Sequence, residues 1–342
     1  MKLGGLPFHG KKRNKLLLSS VTSSLHFVLS KNYFIMKNIQ FITDYSPHSR
    51  QVFHYALHLA HHFGATLTAT HIFAPVFPAA VDDFTEMPGL NAGDQLEKFL
   101  NTEWDRERER MGYFLQEHTP REFKDVPIRK EIGYGHPADE ILRMQESIAF
   151  DLVVMGMNTR DTFVKNLIGA TALSMIDHAK IPILLIPPTA QFQGIQRILF
   201  PTSLHLVELN MVDFLLEWTR AFQAKLFCFH THFTDAKEGD DFSDCLIAAK
   251  QQFSAAMKRE EVEFVVIEGK RKELAENIEK ETGLLNADLL VMQTHNRGLF
   301  SHLFEESTTK EVASDVFVPV LVLKGTGFQL PSKRLETRAK VA

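Results

Sequence analysis

Residues 156–171 read GMNTRDTFVKNLIGAT. Gly156 and Gly169 bracket a polar stretch that carries Arg160, and the second glycine opens an amphipathic run. The preceding DLVVM has the unbroken apolar character of a buried strand. A glycine has no Cβ, so backbone there can approach an anion closely. A helix opening near Gly169 would turn free N–H groups and a positive dipole end toward that anion. Arg160 would add a planar donor fork. Asp44, in FITDYS, follows another short apolar run. A carboxylate at that strand end can accept hydrogen bonds from ribose hydroxyls. The same residues have a plainer use. Glycines are common where a strand turns into a helix, and either Asp44 or Ser46 would cap the helix that HSRQVFHYAL builds.

Other chemistry has less support. No nucleophile stands in a specific spacing from a base, and neither a metal quartet nor a Gly-rich Lys-Ser/Thr phosphate loop occurs. His54, His58, His61 and His62 form a stripe on the first helix. Two i, i+4 pairs within it could ligate a metal, but no Cys or carboxylate joins them there. A solvated flank is the better reading, and no metal site is expected. The two cysteines, Cys228 and Cys245, lack metal or redox spacing and suit a reducing, cytoplasmic compartment. The net charge of -4 gives no footprint for nucleic acid. No apolar run reaches the ~18 residues of a membrane span.

These residues must be positioned by a fold, and the chain contains that fold twice. QFITDYS (40–46) parallels LFPTSLH (199–205), and FGATLTATHIF (63–73) parallels FQAKLFCFHTHF (222–233), with His71 and His230 at the same offset. DLVVMGMNTR (151–160) parallels DLLVMQTHNR (288–297), and KIPILLIPP (180–188) parallels FVPVLVLKG (317–325). The first two pairs share one offset and the last two another, so the first copy carries a surplus between Ala74 and Asp125. It opens as a Pro-rich loop and continues as a charged helix, whose TEWDRERERMGYF reads as a solvated face with i, i+4 ion pairs.

The spacing places strands near 38–43, 66–73, 126–132, 151–156 and 181–186, and again near 196–202, 225–231, 262–268, 288–292 and 318–323. Continuous apolar runs suit strands buried on both faces. The intervening segments have helical period: Phe53, Ala56, Leu57 and Ala60 share a face. The expected class is α/β, with two tandem copies of an open, mostly parallel five-stranded sheet flanked by helices. In such a sheet a ligand sits outside the carboxyl ends of the strands, where the 156–171 loop emerges.

Both copies resemble universal stress protein domains, and the chain from Met36 to about Lys324 is similar to a tandem member of that family. The resemblance implies a Rossmann-like fold. The family's nucleotide-binding members carry Gly-x2-Gly-x9-Gly-Ser/Thr. Gly156 and Gly169 match the first and third glycines, Thr159 replaces the second, and Ala170 stands at the hydroxyl position with Thr171 one place later. The resemblance also makes Asp44 the ribose ligand and Ile72 the residue that meets adenine. Thr43, Met155, Asn158 and Arg160 flank these positions and complete the candidate set. Losing one hydroxyl donor costs ~0.5–1.5 kcal/mol, which weakens a site without abolishing it. The second copy reads Ser203, Gln293, Asn296, Glu306 and Ser307 at the matching positions. A carboxylate facing a phosphate at ~4 Å is repelled by ~4 kcal/mol at an effective dielectric of 20.

The implied function is a cytoplasmic, adenine-nucleotide-responsive binding module. ATP or AMP, with Mg²⁺ as a companion ion, is held by the first copy alone. The alternatives are a protein-interaction scaffold that docks through 75–125, or a slow ATP hydrolase; no catalytic residue is assigned. Adenine nucleotide is the expected small-molecule partner, a protein partner is left open, and neither nucleic acid nor membrane is expected. The chain divides into an N-terminal extension (1–35), a first domain (36–189) with its insertion (75–125), a degenerate second domain (195–325) and a disordered tail (326–342). The apolar fifth strands should pair, so that the two copies form a pseudo-dimer within one chain.

Residues 1–35 have a basic start and then an apolar, Ser-rich run. They resemble a poor signal peptide without a small-x-small cleavage site. The simpler expectation is an extension outside either core. Deleting them should leave the melting temperature unchanged. A fall of several degrees would show that they pack on the fold.

Overall fold

The computed structural model describes residues 36–74, 92–157, 168–204, 206–235, 242–293 and 318–324. The N-terminal extension, the Pro-rich loop and the tail lie outside them. The first copy runs β1 (Asn38–Ile42), α1 (Pro47–Phe63), β2 (Thr66–Phe73), α2 (Ala92–His118), β3 (Ile128–Tyr134), α3 (Pro137–Ser147), β4 (Leu152–Gly156), α4 (Ala170–His178) and β5 (Ile183–Ile186). The second runs β6 (Arg197–Pro201), α5 (Leu206–Phe222), β7 (Lys225–Phe233), α6 (Phe242–Gln252), α7 (Ser254–Lys258), β8 (Val262–Gly269), α8 (Leu274–Leu284), β9 (Leu289–Gln293) and β10 (Val320–Leu323).

The ten strands form one sheet in the order β3-β2-β1-β4-β5-β10-β9-β6-β7-β8. Each half is parallel, and the halves meet where β5 and β10 pair antiparallel. The register is Val320↔Leu185, Leu321↔Leu184 and Val322↔Ile183. Every residue of both strands is buried. The expected pairing of the fifth strands is therefore present. Several strand ends differ from the sequence reading, and prolines explain three of them. Pro127, Pro182 and Pro319 cannot donate, so the ladders of β3, β5 and β10 open after them. Their carbonyls still accept from Leu67, Val153 and Leu290.

The repeat also shows in its polar fixings. Asp151 Oδ2 accepts from the Lys37 and Asn38 amides at 2.7 and 3.0 Å. Asp288 Oδ2 does the same for Gln196 and Arg197 at 2.8 and 2.9 Å. Each carboxylate satisfies the amides at the opening of its copy's first strand, ahead of the fourth.

The surplus of the first copy is built around an element of the fold. The 27-residue α2 occupies the chain position that the short α6 and α7 occupy in the second copy. Met111, Phe114 and Leu115 of α2 are buried. The Phe114 ring lies 6.4 Å from Phe41 of β1 and 5.7 Å from Phe53 of α1. Its charged face forms i, i+3 pairs rather than the expected i, i+4 ones: Arg106–Glu103, Arg108–Asp105 and Arg110–Glu107.

The histidine stripe of α1 is not simply a solvated flank. His58 stacks on Phe192 of the inter-copy linker, with centroids 4.3 Å apart. His62 stacks on Phe222 of α5 at 4.2 Å, and its Nε2 meets the Ala221 carbonyl. Two of the four rings thus pack the first copy against the linker and the second copy. Among the described residues no cluster of three or more His, Cys, Asp or Glu could hold a metal. No described helix is long and apolar enough to cross a membrane.

Leu184 and Leu321 are register partners with no solvent exposure. Leu321→Ala should cost about 2–5 kcal/mol, the usual toll for emptying a core leucine site. Urea unfolding should show the loss as an earlier midpoint of a single transition. An unchanged midpoint would mean that the junction does not hold the halves together.

Candidate functional site

β1 pairs with β2 on one side and β4 on the other, so the strand order reverses at β1. Crevices form at such a point, beyond the carboxyl ends of the strands. The β1–β4 register runs to Phe41↔Val154, two residues short of Thr43 and Gly156. Asp44 leaves β1 on that edge.

The turn after β1 is held by its own side chains. Thr43 Oγ1 accepts from the Tyr45 amide at 3.0 Å, and Tyr45 sits at φ 60 in the left-handed region. Asp44 Oδ1 accepts from the Ser46 amide at 2.9 Å and the Ser49 hydroxyl at 2.6 Å. The N-cap of α1 is Ser46, whose side chain accepts from the Ser49 amide. The alternative between Asp44 and Ser46 is therefore resolved: Ser46 caps, and Asp44 orders the turn around it. Asp44 remains half-buried at the edge of the crevice.

Gly156 ends β4. A Cβ there would lie 2.8 Å from His48 Cε1 and 3.0 Å from His48 Nδ1, so a side chain at this position would have to displace the imidazole resting on it. Gly169 is the N-cap of α4, and its amide donates to the Met157 carbonyl at 2.7 Å, tying the helix start to the end of β4. α4 has no side-chain cap and no acidic residue in its first turn. Ala170 is exposed and Thr171 half-buried at that end. Among the described residues no side chain caps this helix N-terminus, whose first amides suit an anion.

The remaining candidates separate. The Thr43 side chain is buried and spent on the turn. The Met155 side chain is buried in the same core cluster as Met175, so what it offers a ligand is backbone. The Ile72 side chain packs over Gly133, where a Cβ would come within 2.7 Å of its Cδ1. Asn158, Thr159 and Arg160 lie outside the described residues.

Two features escaped the sequence reading. One is His48, in the first turn of α1. Burial pushes its pKa below the ordinary value, and the Ile186 and Pro187 carbonyls and Asp44 offset this in part. Its Nε2 is buried without a hydrogen-bond partner among the described residues. The other is a buried group on the opposite side of Asp44. His71 Nδ1 donates to the Thr43 carbonyl at 2.7 Å, and its Nε2 lies 3.6 Å from Glu107 Oε2 on α2. The Tyr45 ring is 4.3 Å from His71, and the Arg110 guanidinium lies 4.5 Å from the Tyr45 centroid. The HSRQ stretch and the charged α2 segment contained these residues, but only a helix register against the sheet brings them to Gly156 and His71.

The second copy repeats the scaffold of the turn and not its ligand groups. His230 Nδ1 donates to the Thr202 carbonyl at 2.9 Å. Leu204 sits at φ 65, with its amide on Thr202 Oγ1. Ser203 stands between them where the first copy has Asp44. Gln293 ends β9 as Gly156 ends β4, and its buried carboxamide has no hydrogen-bond partner among the described residues. Asn296, Glu306 and Ser307 lie outside the described residues.

A model of the Universal stress protein family matches residues 36–187 and again 194–324. A universal stress protein of Methanocaldococcus jannaschii is 24% identical over 175 residues, which span 51% of this chain and 96% of that protein. The crystal structure of a universal stress protein from Archaeoglobus fulgidus superposes with a TM-score of 0.58 at 17% identity, covering 85% of this chain and 97% of that one. A functionally unknown protein from Pseudomonas aeruginosa superposes with a TM-score of 0.52 at 14% identity, covering 91% and 100%.

His48, His58, His71 and His118 all have pKa values lowered chiefly by burial. The folded state therefore binds fewer protons than the unfolded chain, whose histidines titrate near 6.5. Their contribution is present above that pH and lost as pH falls through the lower folded values. The urea midpoint should drop as pH is taken from about 7.5 to about 5.5. A flat profile would show that these rings are hydrated.

Proposed function

Because the chain belongs to the universal stress protein family, we propose that its first copy binds one adenine nucleotide and that its second copy does not. The observation that carries this is the contrast between two matching strand ends. In the first copy Asp44, Gly156 and the uncapped α4 N-terminus gather at the switch point of the sheet. In the second copy Ser203 replaces the carboxylate, and a buried Gln293 stands where the first copy has Gly156.

In this reading the phosphates meet the backbone at Gly156 and the first amides of α4, and Asp44 receives the ribose hydroxyls. ATP and AMP are the expected ligands, with Mg²⁺ accompanying ATP, in a cytoplasmic protein. The residues support binding rather than turnover. The half-buried Asp44 keeps the turn ordered before a ligand arrives, which lowers the ordering cost of binding. Ala170 removes one hydroxyl donor but leaves the backbone donors of the helix, so the site is weakened and not lost.

Calorimetric titration with ATP and AMP should give a stoichiometry of one. Asp44→Ala should weaken binding by ~1.5–3 kcal/mol, the range for hydrogen bonds to a charged group, and Asp44→Asn, which preserves an acceptor for the turn, should weaken it less. Gly169→Glu should abolish binding by placing a carboxylate against phosphate. A stoichiometry of two would overturn the asymmetry. No heat at millimolar ATP would favour the scaffold reading.

A further inference from the structure

The His48 imidazole occupies the space that the missing Cβ of Gly156 leaves. The contact is tight, since a single added carbon on Gly156 would be pushed into the ring. The Ile186 and Pro187 carbonyls at the end of β5 lie near enough to offset part of the pKa lowering that burial causes, and neither is a hydrogen-bond partner of Nε2. Among the described residues, the charged group in electrostatic contact with the ring is Asp44. His48 is thus bounded by the carboxyl ends of β4 and β5 and by the turn that carries Asp44. Those elements frame the candidate nucleotide site.

Among the described residues, the buried Nε2 of this ring has no hydrogen-bond partner. A buried imidazole nitrogen without a partner is a costly arrangement that native proteins seldom keep without a use. Its position supplies one. A polyphosphate near Gly156 would approach Asp44, whose negative charge repels it, and a positive charge between the two would relieve the conflict. An imidazole in the first turn of a helix is poorly placed to be charged alone, because the helix dipole is positive there. An anion beside it reverses that balance.

We infer that His48 is a phosphate-contacting residue of the first copy: neutral on Gly156 in the free protein, it takes a proton from solvent and donates from Nε2 to a ligand phosphate oxygen when nucleotide binds. The inference rests on the nucleotide reading of this site and adds a residue to it outside the glycine pattern. It also gives the ligand class, because a nucleotide engages His48 and a bare nucleoside does not.

The test is calorimetric titration of wild type, His48→Gln and His48→Ala with ATP and with adenosine, at about pH 6 and about pH 8. Buffers of different ionisation heat count the protons taken up. Wild type should bind ATP about tenfold more tightly than His48→Gln at the lower pH, with the gap closing at the higher one. The wild type should take up more protons than the variant, and adenosine affinity should be equal in the two. Comparison with the variant cancels the titration of ATP itself. In histidine-labelled wild type, one imidazole should change from neutral to protonated on ATP addition, a readout independent of whether the variants fold.

Equal ATP affinity of the variants at both pH values, or no imidazole becoming charged, would overturn the inference and leave the nucleotide reading intact. Tighter ATP binding by His48→Ala would also overturn it, by showing the ring to be a plug. Silence of wild type toward both ligands would sink the nucleotide reading itself, and this inference with it.

Discussion

The short antiparallel ladder between Ile183–Ile186 and Val320–Leu323 turns two half-sheets into one molecule. Each strand is wholly apolar, and each would be an open edge if its copy stood alone. Such edges template aggregation. Pairing them satisfies backbone and side chains together and leaves β3 and β8 as the outer strands. β3, IRKEIGY, carries three consecutive charged residues, Arg129, Lys130 and Glu131, where a free edge needs them. The α1 rings that stack on Phe192 and Phe222 extend the junction from the sheet to the helical layer.

The duplication acts as an internal control on which residues serve the fold. Asp151 and Asp288, Thr43 and Thr202, His71 and His230 make the same hydrogen bonds in both copies. Groups doing the same work in both halves belong to the scaffold. Asp44 and Gly156 have no chemical counterpart in the second half, where Ser203 and Gln293 stand. His71 would read as a site residue in isolation, given Glu107 beside it. Its copy, His230, makes the same bond beside Ser203, so fixing the turn is its primary task. Glu107 and Arg110 are additions of the longer α2 in the first copy.

The strands were legible because each is a continuous apolar run, and the pairing of the fifth strands followed from their having no polar face. Strand ends moved where proline removed a donor, an effect of the ladder rather than of composition. The helix start at Gly169 was legible from glycine spacing. The use of His58 and His62 was not. Their i, i+4 spacing favoured a solvated flank over metal ligation and gave no sign of stacking, which depends on the rings brought from the linker and α5. Ile72 shows the converse. Its side chain is committed to Gly133, a contact between neighbouring strands that linear spacing does not record.

His48 shows why a glycine pattern alone underdescribes such a site. Gly156 was read as room for a phosphate, and the structure fills that room with an imidazole. The two uses are compatible only if the ring changes its partner when a ligand enters. The energies rank the effects. A missing hydroxyl at Ala170 removes ~0.5–1.5 kcal/mol. A carboxylate at Gly169 would oppose a phosphate by ~4 kcal/mol at an effective dielectric of 20. A protonated ring near Asp44 acts on the same electrostatic scale as that carboxylate and with the opposite sign. On the proposed reading, the balance of charge around Gly156, more than the count of matching glycines, would therefore set how tightly the first copy holds an anion.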